Sequence, residues 1–98
     1  LSWSCKVEKE GDYYLAVRYC TDRDVARKVS VDGALAQVST FPSSGGMSSS
    51  ANEWRHAIVL EGKKAKKFHL KAGAHTVRME NADGAPMNTD YLVFLAVN

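Results

Sequence analysis

The stretch Tyr13 to Cys20 constrains the fold of this chain more than any other: Tyr13, Leu15, Val17 and Tyr19 alternate with Tyr14, Ala16, Arg18 and Cys20. A period of two sends successive side chains to opposite faces of an extended chain, so this segment reads as a β-strand. Its backbone N–H and C=O groups need partners, and the rest of the chain supplies candidates. Trp3, Cys5 and Val7 alternate with Ser2, Ser4 and Lys6 before a polar turn around Gly11. Arg27 to Val31 runs into Asp32-Gly33, the strongest short-range hairpin signal, and Ala34 to Val38 returns. Trp54 to Leu60, Ala65 to Leu70 and Ala74 to Glu80 are further strand candidates, separated by Glu61-Gly62 and Lys71-Ala72-Gly73. Asp90 to Val97 closes the chain, and its dense apolar run predicts a fully buried strand. Two loops remain, Phe41 to Asn52, rich in Ser and Gly, and Asn81 to Asn88, with Asp83-Gly84 and Pro86.

One segment argues for a helix. Ser50 followed by Glu53 has the form of a capping box, and Trp54, Ala57 and Ile58 have helical spacing. The run before Gly62 is short, however, and Ile58-Val59 is β-branched, which favours a strand. Roughly eight short strands with turn signals about every dozen residues predict an all-β, antiparallel sandwich.

Ninety-eight residues suit one domain, residues 1–98, with a modest single core. A formal charge of +2 gives no general reason to expect nucleic acid, and no apolar stretch approaches a membrane span. The chain begins at Leu1, which fits a mature secreted product as well as an excised piece. Cys5 and Cys20 match no zinc pattern. Paired within the chain, they would close a short loop and contribute about 3 kcal/mol; two free thiols, or a bridge between subunits, are the alternatives.

Nucleophile and phosphate-loop signatures are missing from the sequence, while its scattered acidic residues leave a glycosidase-type carboxylate pair open on spacing alone. Ser43, Ser44 and Ser48 to Ser50 lack the spacing of a nucleophile elbow, and no glycine-rich phosphate loop precedes a helix. His69 and His75 flank a hairpin without a third ligand. Tyr13 and Tyr19 share a face with Leu15 and Val17 and read as core, their hydroxyls satisfied. Lys63, Lys64, Lys66 and Lys67 form the one basic cluster. It reads as a soluble hairpin guarding an edge strand, though such a cluster can also steer an anionic polysaccharide.

Five segments in order resemble carbohydrate-binding modules of families 6 and 35. They are Gly11-Asp12-Tyr13-Tyr14-Leu15-Ala16-Val17-Arg18-Tyr19, Val29-Ser30-Val31-Asp32-Gly33, Phe41-Pro42-Ser43-Ser44-Gly45-Gly46, Leu70-Lys71-Ala72-Gly73-Ala74-His75-Thr76-Val77-Arg78 and Asn88-Thr89-Asp90-Tyr91-Leu92. The resemblance implies a jelly-roll sandwich with a sugar site among the loops at one end. It assigns Asn88 to the sugar, since a side-chain amide both donates and accepts. It also implies an aromatic platform after Gly46, where this chain has Met47; Trp54 is the nearest aromatic and serves either as that platform or as core. Asn52, Asp22 and Arg23 are candidate neighbours for selectivity.

In the resembled families two further N-terminal strands carry acidic residues that bind a structural calcium with the Asp of the last motif. This chain starts after that region, so Asp90 is a metal ligand only if calcium finds oxygen ligands elsewhere, and no other cofactor is expected. An edge left without its strands is expected to be covered, and self-association into a homo-oligomer is one way. The functional expectation is a secreted, non-catalytic lectin binding glycan through a shallow loop-end site. Galactose-type sugars are preferred, as in a free-standing animal lectin of marine-invertebrate type. The alternatives are a structural or adhesive sandwich that no longer binds sugar and a trimmed polysaccharide-binding module of a larger glycoside-active enzyme.

Overall fold

The computed structural model describes residues 2–34, 37–47, 54–85 and 87–97, all of them strand, turn or irregular chain. Among the described residues ten strands follow one another: β1 Ser2–Val7, β2 Gly11–Cys20, β3 Val25–Val31, β4 Gln37–Phe41, β5 Arg55–Ile58, β6 Leu60–Glu61, β7 Lys64–Ala65, β8 Phe68–Leu70, β9 Gly73–Asn81 and β10 Asn88–Ala96. Every pairing is antiparallel. One sheet has the order β1-β9-β3-β4, and the other has β10-β2-β5, with β8 also on β2. β6 and β7 form a small hairpin. The expected sandwich is present.

The alternation read from the sequence decides what fills it. On β2, Leu15, Val17 and Tyr19 are completely buried, and Val25, Val29, Phe41, Val77 and Met79 of the opposite sheet meet them. The rings of Tyr19 and Phe41 meet edge to face with centroids 5.3 Å apart, joining the two sheets. The Tyr19 hydroxyl donates to the Pro42 carbonyl at 2.7 Å, so this large polar side chain is buried without an orphaned group. Tyr13 likewise donates to the Lys9 carbonyl at 2.6 Å.

Four strands depart from expectation, and the one expected over 65–70 is split at Lys66-Lys67 into the end of β7 and β8. β4 is Gln37–Phe41, not 34–38, because the inward positions are Ser39 and Phe41 while Val38 points to solvent. The Ser39 hydroxyl accepts the Leu60 N–H at 3.0 Å, which lets a polar residue occupy an inward site. The expected strand from Trp54 to Leu60 breaks at Val59, whose N–H bonds the Leu15 carbonyl while its side chain enters the core. β10 is not fully buried. It lies at a sheet edge, and Tyr91, Val93 and Leu95 are 42%, 39% and 44% exposed because none of the described residues covers their face. Ser50, Asn52 and Glu53 lie outside the described residues.

The expected disulfide is also corrected. Cys5 and Cys20 are free thiols. Cys5 sits on β1 opposite His75, while Cys20 ends β2 in the other sheet opposite Asn88. The two are close along the chain, but a bridge needs Cβ atoms that face each other, and these stand on strands of different sheets with His75 and Asn88 as their register partners. Burial raises the Cys5 thiol pKa, which makes it a poor nucleophile. Titration of the denatured, unreduced protein should therefore yield two thiols per chain; a yield of none would restore the disulfide.

The Asp32-Gly33 turn forms as predicted, with both residues at positive φ, 53° and 74°. Its side chain fastens the turn to β9. One Asp32 oxygen accepts the Thr76 N–H at 2.8 Å and the other faces His75 Nδ1 at 2.5 Å. His75 Nε2 lies 2.6 Å from the Lys71 carbonyl. Both acceptors can only accept, so both ring nitrogens must donate and the imidazole is cationic. The Asp32 carboxylate and then the Lys71 carbonyl raise the His75 pKa, and His75 in turn lowers that of Asp32. The raised His75 contributes fully below the ordinary imidazole value of about 6.5 and is lost as pH rises through its folded pKa. The lowered Asp32 contributes above the ordinary carboxylate value of about 3.9 and is lost as pH falls through its folded pKa. Asp32→Asn, which tolerates the positive φ, should thus show its largest Tm deficit between about pH 4 and 6.5, shrinking toward about pH 9. A deficit constant across that range would show that the pair is not ionised as described.

Candidate functional site

One end of the sandwich gathers the end of β2, the start of β3, the ends of β4 and β9 and the start of β10. Three connections meet there. In the first two, Thr21 and Ser44 clasp each other. The Thr21 N–H donates to the Ser44 hydroxyl oxygen at 2.9 Å, and the Ser44 N–H donates to the Thr21 carbonyl at 3.0 Å. The Ser43 N–H donates to Asp24 at 2.8 Å, so residues 21–24 and 42–46 behave as one unit. Asp22 and Arg23, both exposed, pair with each other at 2.9 Å, and this hydrogen bond lowers the Asp22 pKa.

The third connection, between β9 and β10, is ordered by its own side chains. Asn81 Oδ1 accepts the N–H groups of Asp83 at 3.0 Å and Gly84 at 2.6 Å, an Asx turn. Asp83 accepts the Ala85 N–H at 2.9 Å and the Ala26 N–H at 2.7 Å, and it pairs with Arg27 at 3.2 Å. Those backbone donors first, and the Arg27 charge after them, hold the Asp83 carboxyl below its usual range. Arg27 occupies an inward position on β3 and is 8% exposed. Its guanidinium also donates to the carbonyls of Ala26 and Ala85. A buried charge of this kind is tolerated because each face of the fork has an acceptor.

Beside this connection lies an open depression of about 540 Å³, whose lining includes Arg27, Met79, Glu80, Asn81, Met87 and Asn88. Met79 and Met87 give it an apolar wall, and the exposed Asn88 brings a free amide to its rim. Glu80 is paired with Arg78 at 3.0 Å. The depression therefore offers a neutral amide beside thioethers, an arrangement suited to polar, partly apolar molecules.

The other predicted residues lie around it in different places. The register sets Asn88 opposite Cys20 on one side of β2, and Arg55 opposite Tyr19 on the other. Trp54, one residue before β5, is thus separated from Asn88 by two strand spacings, about 10 Å. Its ring lies outside the core and holds the Arg18 guanidinium 5.0 Å from its centroid. Asp22 and Arg23 belong to the neighbouring loop, and Asn52 lies outside the described residues. Asp90 sits at a β-bulge and is bound by Arg18 at 2.5 Å. A guanidinium on that carboxylate, and no group of three or more His, Cys, Asp or Glu side chains among the described residues, do not fit a calcium site there. Arg27, Asn81, Asp83 and Met87 were not anticipated. Asn81-x-Asp83-Gly84 is legible as an Asx turn, but Arg27 on an alternating strand gives no such signal.

Comparison with solved structures decides the fold. A family 35 carbohydrate binding module from Clostridium thermocellum superposes with a TM-score of 0.75 at 21% identity, over 97% of this chain and 68% of that one. The chain has the fold of a family 35 carbohydrate binding module. The GH26-CBM35 β-(1,4)-mannanase of Podospora anserina matches with a TM-score of 0.73 at 16% identity, over 99% of this chain and 19% of that one. A Paenibacillus sp. cycloisomaltooligosaccharide glucanotransferase complexed with cycloisomaltoheptaose matches with a TM-score of 0.70 at 24% identity, over 94% and 12%. No protein-family model and no curated protein matches the chain.

Within this module fold, the order of the depression rests on Asp83. Asp83→Ala removes the carboxylate that faces the buried Arg27, and should lower the midpoint of a denaturant titration. Amide exchange should accelerate at residues 81–87 while the β2 core stays protected; unchanged exchange there would remove Asp83 from its ordering role.

Proposed function

We propose that the chain is a non-catalytic carbohydrate-binding domain of a secreted protein, with its sugar site in the loop-end depression rimmed by Asn88. The observation that carries this reading is an open, preordered depression with a free amide, on a fold shared with carbohydrate binding modules. The acidic side chains around it are already matched, Asp83 with Arg27 and Glu80 with Arg78. Such groups serve hydrogen bonding and order better than proton transfer, which needs a group poised to exchange its proton. Pyranose C–H faces would lie against Met79 and Met87 while hydroxyls meet Asn88.

The finer reading is a lectin for galactose-type sugars, with Asp22 and Arg23 of the neighbouring loop as the groups that select an axial hydroxyl. Single shallow sites bind sugars weakly, because each hydroxyl exchanges water for protein. A homo-oligomer would raise avidity without any new contact. A second form of the reading, a module carried by a larger glycoside-active enzyme, draws support from the mannanase and the glucanotransferase, of which this fold is a minor part.

A rival reading, an adhesive sandwich that no longer binds sugar, is favoured by one specific observation. Trp54 is occupied by Arg18, and Arg23 and Asp22 by each other, so three of the expected sugar contacts already have partners. A glycan array probed with the purified protein, with and without a chelator, separates the readings. Saturable binding to a coherent set of neutral glycans, unaffected by chelation, is expected. Asn88→Ala should weaken it roughly 10- to 100-fold, the worth of about two hydrogen bonds, with Tm unchanged. A blank array from folded protein would favour the adhesive reading.

A further inference from the structure

The end of the sandwich away from Asn88 has a different chemistry. Residues 63–71 hold five lysines and no acid, whereas the other 89 residues carry 8 basic and 11 acidic side chains. This segment runs through the β6–β7 hairpin into β8, and there it borders a second open depression of about 450 Å³. Lys66, Lys67 and His69 line it on one side and Asp32 on the other. Phe68 and Leu70 are among its apolar lining.

The acids nearby are engaged. Asp32 is bound by His75 and the Thr76 N–H. His69 sits between Asp12 at 2.9 Å and Glu10 at 3.0 Å. Glu61 holds Lys66 at 3.1 Å, and Lys66 also lies 5.9 Å from the centre of the Phe68 ring. The uncompensated charge is that of the exposed lysines, with Lys67 at the depression itself and Lys63, Lys64 and Lys71 leading to it. Salt bridges at a surface are weak, so lysines without acidic neighbours remain available to a ligand.

We propose that this depression is a second binding site, for an acidic glycan, with Lys67 and Lys66 meeting a carboxylate or sulfate and Phe68 and Leu70 meeting the sugar ring. Its volume falls in the range of small-molecule sites, about 300–1,000 Å³. The alternatives fit less well. Single-stranded nucleic acid stacks its bases on successive aromatics, and among the described lining residues Phe68 is the one Phe, Tyr or Trp, beside a His69 already held by Asp12 and Glu10. Stable attachment to an anionic membrane needs apolar insertion beside the charge, and among the described residues the exposed large hydrophobics, Val38, Tyr91, Val93 and Leu95, lie elsewhere. An acidic glycan needs only what the site has, cations on a concave, mixed wall. The site is independent of Asn88 and stands or falls separately from the loop-end proposal.

The test is calorimetric titration with an oligogalacturonate, with a neutral galacto-oligosaccharide of equal length as control, and amide chemical shifts as a map. Saturable oligogalacturonate binding is expected, shifting the amides of Lys67, Phe68 and His69 and weakening steeply from about 0.05 M to about 0.5 M salt. Lys67→Glu reverses a charge at an exposed side chain and should weaken it roughly tenfold or more. Lys66→Gln should weaken it less, and Asn88→Ala should leave it intact. No binding, binding insensitive to Lys67→Glu, or binding lost in Asn88→Ala would overturn the proposal. So would equal or tighter binding to phosphatidylserine vesicles or single-stranded DNA, which would show a charge patch without glycan recognition.

Discussion

The rest of the structure depends on β2. Gly11–Cys20 pairs with β10 along one edge and with β8 and then β5 along the other, so its ten residues hold one sheet together. Its inward residues also hold the two sheets to each other. Tyr19 reaches Phe41 of the opposite sheet with its ring and the carbonyl after it with its hydroxyl. Because Pro42 begins the loop that Thr21 and Ser44 clasp, one buried tyrosine couples core packing to the order of the binding end. A change at Tyr19 would be felt at both levels, since a side chain in a close-packed interior has no room to shift independently.

Much of this was legible because strand alternation is a local property. The β2 pattern, the Asp32-Gly33 turn and the run into β9 needed no knowledge of their partners. What was not legible is non-local. Nothing in the spacing of Cys5 and Cys20 says that they belong to different sheets. Nothing in Tyr91 to Leu95 says which side of the strand is covered, and an apolar run looks the same at an edge as at a centre. The expected strand divides at Val59 because its N–H still bonds the Leu15 carbonyl of β2 while its own carbonyl accepts the Lys66 N–H of the hairpin that follows, partners no local pattern names. Ser39 passes as an outward residue until the Leu60 N–H is found beside it.

The candidate site divides the same way. Asn88 was read through resemblance, and the structure sets it at a rim. The residues that shape that rim were missed because Arg27 sits where alternation calls for an apolar side chain. Its acceptors come from Asp83 and Ala85, brought close only by the turn between β9 and β10. Trp54 posed two options, platform or core. The structure gives it a third role, a ring beneath the Arg18 guanidinium, whose other partner is Asp90. One arginine thus meets both the aromatic and the carboxylate to which the resemblance would give other roles.

The two ends of the sandwich solve opposite problems with the same kind of part. At the loop end, carboxylates are spent on order: Asp24, Asp83 and the Asn81 amide bind backbone N–H groups and leave a nearly neutral surface. Neutral polar groups suit ligands recognised by direction, since a hydroxyl gains from geometry more than from field. At the far end, Asp32, Asp12 and Glu10 are matched by histidines, and the lysines are left over. Their field acts at a distance and falls with salt, which suits capture of a charged polymer before any close contact forms. A chain of net charge +2 can hold both surfaces because the charge is unevenly distributed, so the total describes neither end.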